Sequence, residues 1–220
     1  MNILWNIRLY PPGTNAGAEW YAHDLNKYLI SKGHTVTVML PGRDLNYELD
    51  GVTVSNYDPK IYRWADLVFT HLEPTDRTIA DCRRYGKPVV FIAHNTFDYP
   101  MVRHYHDVGV ILNSKAALDI CGYDQPCRRR MVLPPPIDID YYKVPRGKEG
   151  KITLINLNEN KGVGLFYQLA EMMPDLKFLG VRGGYHKQVI KDLPNVEIVP
   201  HTPDIRTVYA RTSILLLPSR

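Results

Sequence analysis

The sequence predicts an α/β protein built on parallel β-sheet and divided into two domains. Three observations carry this. Short apolar runs, among them NILWNIRLY (residues 2–10), HTVTVML (34–40) and PVVFIAHN (88–95), are too short to cross a membrane and tend to end in polar residues or a turn. Stretches of helical spacing lie between them, and that alternation implies a parallel sheet covered on both faces. A proline-rich segment, residues 134–150, separates two such series and reads as a linker.

The first strand, residues 2–10, hands over to a helix through GTNAGAEW, residues 13–20. Trp20, Leu25, Tyr28 and Leu29 recur at helical spacing, and Gly33 stops the pattern. Thr14 or Asn15 is placed to cap this helix, whose first-turn N–H groups lack intrahelical partners and carry a partial positive charge suited to an anion. Gly13 and Gly17, with Ala16 and Ala18, let a phosphate or sugar approach the backbone; the same residues serve equally for a tight turn with ordinary capping. Strands follow at 34–40, 52–55, 66–71, 88–95, 108–114 and 130–136, with a helix over 74–85 and a break at Gly86-Lys87-Pro88. In the second series KITLINLN, LKFLGV, NVEIVP and SILLLP are strands, and GVGLFYQLAEMM, YHKQVIKDL and DIRTVYART are the helices between them.

The length of 220 residues, with 45% hydrophobic and 23% charged residues, suits a globular protein with sizeable cores. The N-terminus lacks the basic-then-apolar pattern of a signal peptide, so a cytoplasmic location is expected. Cys82, Cys121 and Cys127 have no paired spacing and read as free thiols. The net charge of +4 arises after residue 145, where eleven Lys and Arg face seven Asp and Glu; the preceding residues carry sixteen of each. That suits a small polyanion such as a nucleotide diphosphate, and the absence of a basic stripe interleaved with aromatics speaks against a nucleic-acid partner. Arg128, Arg129 and Arg130 read as a solvated approach to a strand or as a contact for anionic phospholipid or an acceptor phosphate, which leaves a peripheral membrane location open.

Ligands of open α/β sheets collect at the carboxyl ends of the strands. The polar residues there include His71, His94, Asn113, residues 156–161 and Arg182 to Gly184, and two such rims facing each other across the linker would form a cleft. A dinucleotide fingerprint is missing, because GTNAGA lacks the GxGxxG order and no acidic residue closes the second strand. Lys161 is followed by Gly162, which excludes a Walker loop. His104 and His106 have a metal-ligand spacing but no identifiable third ligand, so no metal is expected.

Taken in order, GAEWYAHDLNKYLISKGHTVTVML, PVVFIAHN, ILNSKAALD, VLPPPIDIDYY, NENKGVGLF, LKFLGVRGG and NVEIVPHTPDIRTVYARTSILLLPS resemble the retaining glycosyltransferases of family 4. The resemblance implies the GT-B fold, two Rossmann-like doubly wound parallel-sheet domains: residues 1–145 on the acceptor side and residues 146–220 on the nucleotide-sugar donor side, the second incomplete. It implies transfer of a hexosyl unit from a nucleotide diphosphate sugar, as substrate and with no cofactor, to a glycan, lipid or small-molecule acceptor. His94 and Lys161 are then the catalytic candidates. Gly13, Gly17, Asn156, Lys161, Arg182 and Gly183 fall on the donor, and Glu19 holds the glycine loop by hydrogen bonds at the helix start.

Two departures qualify the resemblance. The family places an arginine five residues before the lysine, where this chain has Asn156, with Arg182 as a substitute. The family pattern also continues past Pro218-Ser219 with a pair of glutamates for the donor sugar and ribose. The alternative reading is therefore a catalytically silent module that binds nucleotide or glycan, or that pairs with a complementing subunit or with its own copies.

Overall fold

The computed structural model describes residues 1–13, 16–73, 75–96, 105–121, 129–145, 149–184 and 186–219. Its contacts fall into two units, Met1–Ile137 and Asp138–Arg220.

The first unit runs β1 (Asn2–Asn6), α1 (Gly17–Ser31), β2 (Thr35–Leu40), β3 (Tyr47–Leu49), β4 (Val52–Asn56), α2 (Ile61–Trp64), β5 (Leu67–Thr70), α3 (Thr75–Tyr85), β6 (Val89–Ala93), β7 (Val108–Leu112), α4 (Lys115–Cys121) and β8 (Arg130–Val132). The strands form one sheet in the order β3-β4-β2-β1-β5-β6-β7-β8. All neighbours are parallel except the β3–β4 pair. Alternation along β1 divides the core: Ile3 and Trp5 pack with Tyr21, Ala22 and Leu25 of α1, and Leu4 packs with Tyr62, Ile79 and Cys82 from α2 and α3. Trp5 stacks on Phe69 of β5 with ring centroids 4.8 Å apart. Asn6 is buried beside β5; its amide nitrogen donates to Tyr62 Oη at 2.8 Å and Thr78 Oγ1 at 2.9 Å, while its Oδ1 has no partner among the described residues.

β3 is absent from the sequence reading. Its signal is Asp50-Gly51, both left-handed at φ 49° and 79°, which closes a two-residue hairpin onto β4. Ala16 holds the N-cap position with extended backbone, and its methyl group offers no acceptor to the first turn. Thr14 and Asn15, the expected caps, lie outside the described residues, as do His104, Cys127 and Arg128. Downstream, Ser114 Oγ accepts from Ala117 N–H and caps α4.

The second unit runs α5 (Ile139–Tyr142), β9 (Lys151–Ile155), a 3₁₀ turn (Glu159–Lys161), α6 (Val163–Met172), β10 (Phe178–Val181), β11 (Val196–Val199), α7 (Arg206–Tyr209) and β12 (Thr212–Leu216). Its sheet, β11-β10-β9-β12, is wholly parallel. Phe166 of α6 meets Phe178 edge-on over Leu154 and Ile152. At the opposite ends of the strands from the glycine-rich turns, Lys151 bonds Glu149 and Glu197, and Arg211 bonds the same two carboxylates. The expected helix YHKQVIKDL is not formed over residues 186–193. Gln188 Oε1 accepts from Leu157 N–H and Gly183 N–H, and Val189 N–H donates to Leu157 O at 2.7 Å, so groups a helix ladder would use are bonded to the sheet margin instead.

Candidate functional site

In the first unit the carboxyl ends of β1, β2 and β5 and the start of α1 surround a cleft of about 460 Å³. Arg8, Glu19, Arg43, His71 and Glu73 line it, with Leu9 and Leu72 as apolar wall. Each residue arrives by position: Arg8 two residues beyond β1, Arg43 after the Pro41-Gly42 stop of β2, and His71 directly after β5.

His94, which follows β6, places Nε2 2.8 Å from Nδ1 of His71. His71 is 2% exposed, and its pKa falls to about 3, through burial and secondarily through the neighbouring His94. Burial brings His94 to about 4. Both rings are thus neutral at pH 7, and one proton lies between the two facing nitrogens. The ring of Tyr21 meets His94 edge-on, and the amide of Asn113 donates to the His94 carbonyl, which fixes the strand exit. The sequence reading thus finds His94 and His71 at strand ends; the structure joins them.

Glu19, in the first turn of α1, is only 5% exposed, and burial raises its pKa. Its Oε2 is buried and has no partner among the described residues. Such an atom costs on the order of 1–3 kcal/mol unless something bonds it. Gly13 and Gly17 are both exposed, and a Cβ added to either would meet nothing within 4 Å. The protein's own packing does not require glycine at these two positions. Below the turn, Tyr10 Oη meets His23 Nδ1 at 2.9 Å, Asn26 donates to the same hydroxyl, and His23 Nε2 lies 2.9 Å from Asp50. This chain anchors residue 10 to α1.

In the second unit the predicted donor residues sit at the carboxyl end of β9 and β10. Asn156 takes a left-handed conformation, φ 71°, and is buried. Its Oδ1 accepts from Asn158 Nδ2 at 2.7 Å and from Gln188 Nε2 at 2.9 Å. Gly183 packs against it so closely that a Cβ there would lie 2.1 Å from Asn156 Oδ1. Asn158 also accepts from Lys161 N–H at 3.0 Å and so shapes the turn that presents Lys161. The ammonium of Lys161 makes no ion pair among the described residues. Gly162, at φ 78°, closes that turn against Pro218, whose ring would lie 2.7 Å from an added Cβ. Arg182 is exposed, held by its N–H to Val199 O. Gln188 escaped the sequence reading because an amide in a polar stretch carries no motif; Arg8 and Arg43 escaped because lone surface cations are common.

Among the described residues no group of three His, Cys, Asp or Glu side chains is gathered as a metal site, and no helix is long and apolar enough to cross a membrane.

Two parallel-sheet units, each with its polar residues at the carboxyl ends of the strands, are Rossmann-like, and the chain has the fold of GT-B glycosyltransferases. No protein-family model and no curated protein sequence matches it. Among solved structures it is similar to the catalytic domain of starch synthase IV from Arabidopsis thaliana bound to ADP and acarbose, at TM-score 0.62 and 11% identity over 99% of this chain and 78% of that one. It is also similar to an E. coli trehalose-6-phosphate synthase bound with UDP-2-fluoro glucose, at TM-score 0.52 and 10% identity over 83% of this chain. The match spans 64% of that enzyme's chain, less than two thirds of its length. A trehalose-6-phosphate synthase studied with bisubstrate glycomimetics for glycosyl transfer with retention matches at TM-score 0.56 and 10% identity, over 94% of this chain and 74% of that one.

Proposed function

We propose that the protein is a glycosyltransferase that moves a hexosyl unit from a nucleotide diphosphate sugar to an acceptor with retention at the anomeric carbon. The observation that carries this reading is the turn 158–162, which holds Lys161, without an ion pair among the described residues, at the carboxyl end of a Rossmann-like sheet, on a fold whose neighbours include structures with bound ADP and UDP-sugar. In this reading the Lys161 ammonium neutralises the diphosphate as the sugar–phosphate bond breaks. The departing phosphate oxygen takes the acceptor proton on the same face. His94, neutral and bonded to His71, acts as a fixed hydrogen-bonding group toward the sugar rather than as a cation. Gly13 and Gly17 leave their backbone open to the donor. The similarity to an enzyme studied for transfer with retention supports the stereochemical part.

One observation favours a second reading, a silent nucleotide- or glycan-binding module that pairs with another subunit or another copy. Asn156, which the resemblance places where a second phosphate-binding cation stands, spends its carboxamide oxygen on Asn158 and Gln188. A panel of nucleotide sugars separates the two. Release of free nucleotide that Lys161→Ala abolishes, with a product whose anomeric proton coupling matches the donor's, is the expected result. Donor binding without turnover across the panel supports the module instead.

A further inference from the structure

We propose that the cleft of the first unit takes an acceptor bearing an anionic group, a phosphate or carboxylate, on a small hydroxylated body, with Arg8 and Arg43 as the anion clamp. The inference rests on the glycosyltransferase reading and names the acceptor class for it.

Four features of the cleft carry it. Its volume of about 460 Å³ lies in the range of small-molecule sites, roughly 300–1,000 Å³. Two guanidinium groups line it, and Arg43 has no carboxylate partner among the described residues. Among the described residues Arg8 has a single ion pair, 3.1 Å to Glu73, with the two side chains 68% and 71% exposed. An exposed pair of that kind contributes little, and an incoming anion that accepts two guanidinium forks displaces it readily. Elsewhere in the polar wall His71 is neutral, and burial raises the pKa of Glu19 above the usual carboxylate value. Glu19 Oε2 is buried and has no partner among the described residues, so a ligand hydroxyl would complete it once the side chain turns toward the cleft. A neutral sugar would use Glu19 and His71 but leave both arginines without a ligand role. Set against the clamp is Glu73, an exposed carboxylate of the lining.

The test is calorimetric titration of the full chain with glucose 6-phosphate, glucuronate, glucose and UDP, the last because a donor diphosphate is the other source of phosphate chemistry. The expected result is about tenfold tighter binding of at least one charged sugar than of glucose. Arg43→Ala and Arg8→Ala each remove most of that preference and leave glucose binding and the melting temperature unchanged. Glu73→Gln strengthens the charged sugars, a gain that misfolding cannot produce, and raised salt weakens them. The inference is overturned if charged and neutral sugars bind alike, if none of the three sugars binds, or if the arginine variants lose UDP but not the charged sugar. Donor turnover without anion preference refutes this inference alone. Arginine-dependent sugar binding without any donor binding leaves the anion clamp standing as a binding site and refutes the transferase reading together with the ligand's role as acceptor.

Discussion

Gly183→Ala and Gly17→Ala are the same substitution on the same chain, and the structure gives them opposite consequences. At residue 183 the new Cβ would lie 2.1 Å from Asn156 Oδ1 and 2.2 Å from Cγ, and Asn156 has no free direction in which to retreat. Its Oδ1 is bonded to Asn158 and Gln188, and Gln188 also accepts from Gly183 N–H itself. Relief needs a displacement of about 1 Å, since contacts between non-bonded carbon and oxygen sit beyond ~3 Å. Breaking one or two of these bonds at about 1 kcal/mol each, with overpacking of about 1–3 kcal/mol, gives a loss of roughly 2–5 kcal/mol. At residue 17 the Cβ meets nothing, and alanine gains up to about 1 kcal/mol in helix propensity at the start of α1. Urea unfolding followed by circular dichroism measures both. The expected result is a lowered midpoint for Gly183→Ala, an unchanged or raised one for Gly17→Ala, and weakened donor binding for Gly17→Ala despite its stability. A Gly183→Ala protein as stable as the wild type would refute the packing argument, and unaltered donor binding in Gly17→Ala would refute the ligand role of the loop.

Three further outcomes follow from the charges and buried hydroxyls. Burial depresses the pKa values of His71 and His94, so the unfolded chain binds protons that the native pair refuses. Stability contributed by the pair is complete above pH ~6.5 and declines as pH falls toward about 3–4; urea midpoints at a series of pH values should fall over this window, and His71→Gln should flatten the fall. Glu197, held down to about 2 by Arg211 and Lys151, contributes above its ordinary 4.5 and loses that contribution as pH drops to about 2; the stability difference between wild type and Glu197→Gln should therefore close across that interval. Tyr10→Phe removes the hydroxyl that joins His23 and Asn26 and should cost about 1–3 kcal/mol, read from the same unfolding curves.

Most of the sheet was legible because parallel strands buried on both faces write themselves as apolar runs, as in Val108–Leu112 and Phe178–Val181. The exceptions are those in which tertiary contacts outvote the local pattern. Val189 and Leu193 have spacing fit for a helix, yet both turn onto the core of the second unit while Gln188 occupies its backbone donors. The strand Tyr47–Leu49 is too short to show a period and is visible only through its Asp-Gly turn. In the site, single residues at strand ends were readable by position, which is how His71 and His94 emerge. Their mutual bond was not, because β5 and β6 become neighbours only in the sheet. The same applies to the cleft arginines, which lie thirty-five residues apart in sequence and meet the same cavity only through the β2–β1 pairing.

Asn156 is where the two readings of function divide. A buried residue at φ 71° favours asparagine or glycine, and its carboxamide is what lets Gly183 and Gln188 close over the end of β9. An arginine there would have to reach solvent from a 6% exposed backbone position past Gly183, which has no space even for a methyl against the present side chain. Asn156→Arg therefore does not restore a phosphate cation; it opens the network and destabilises the second unit. If the chain turns over a nucleotide sugar, the charge on the leaving group rests on Lys161 with help from the exposed Arg182. Arg182→Ala then lowers turnover further in the wild type than in Lys161→Met, whose activity is already lost. If instead Arg182→Ala leaves donor affinity and turnover unchanged, Lys161 carries the diphosphate alone.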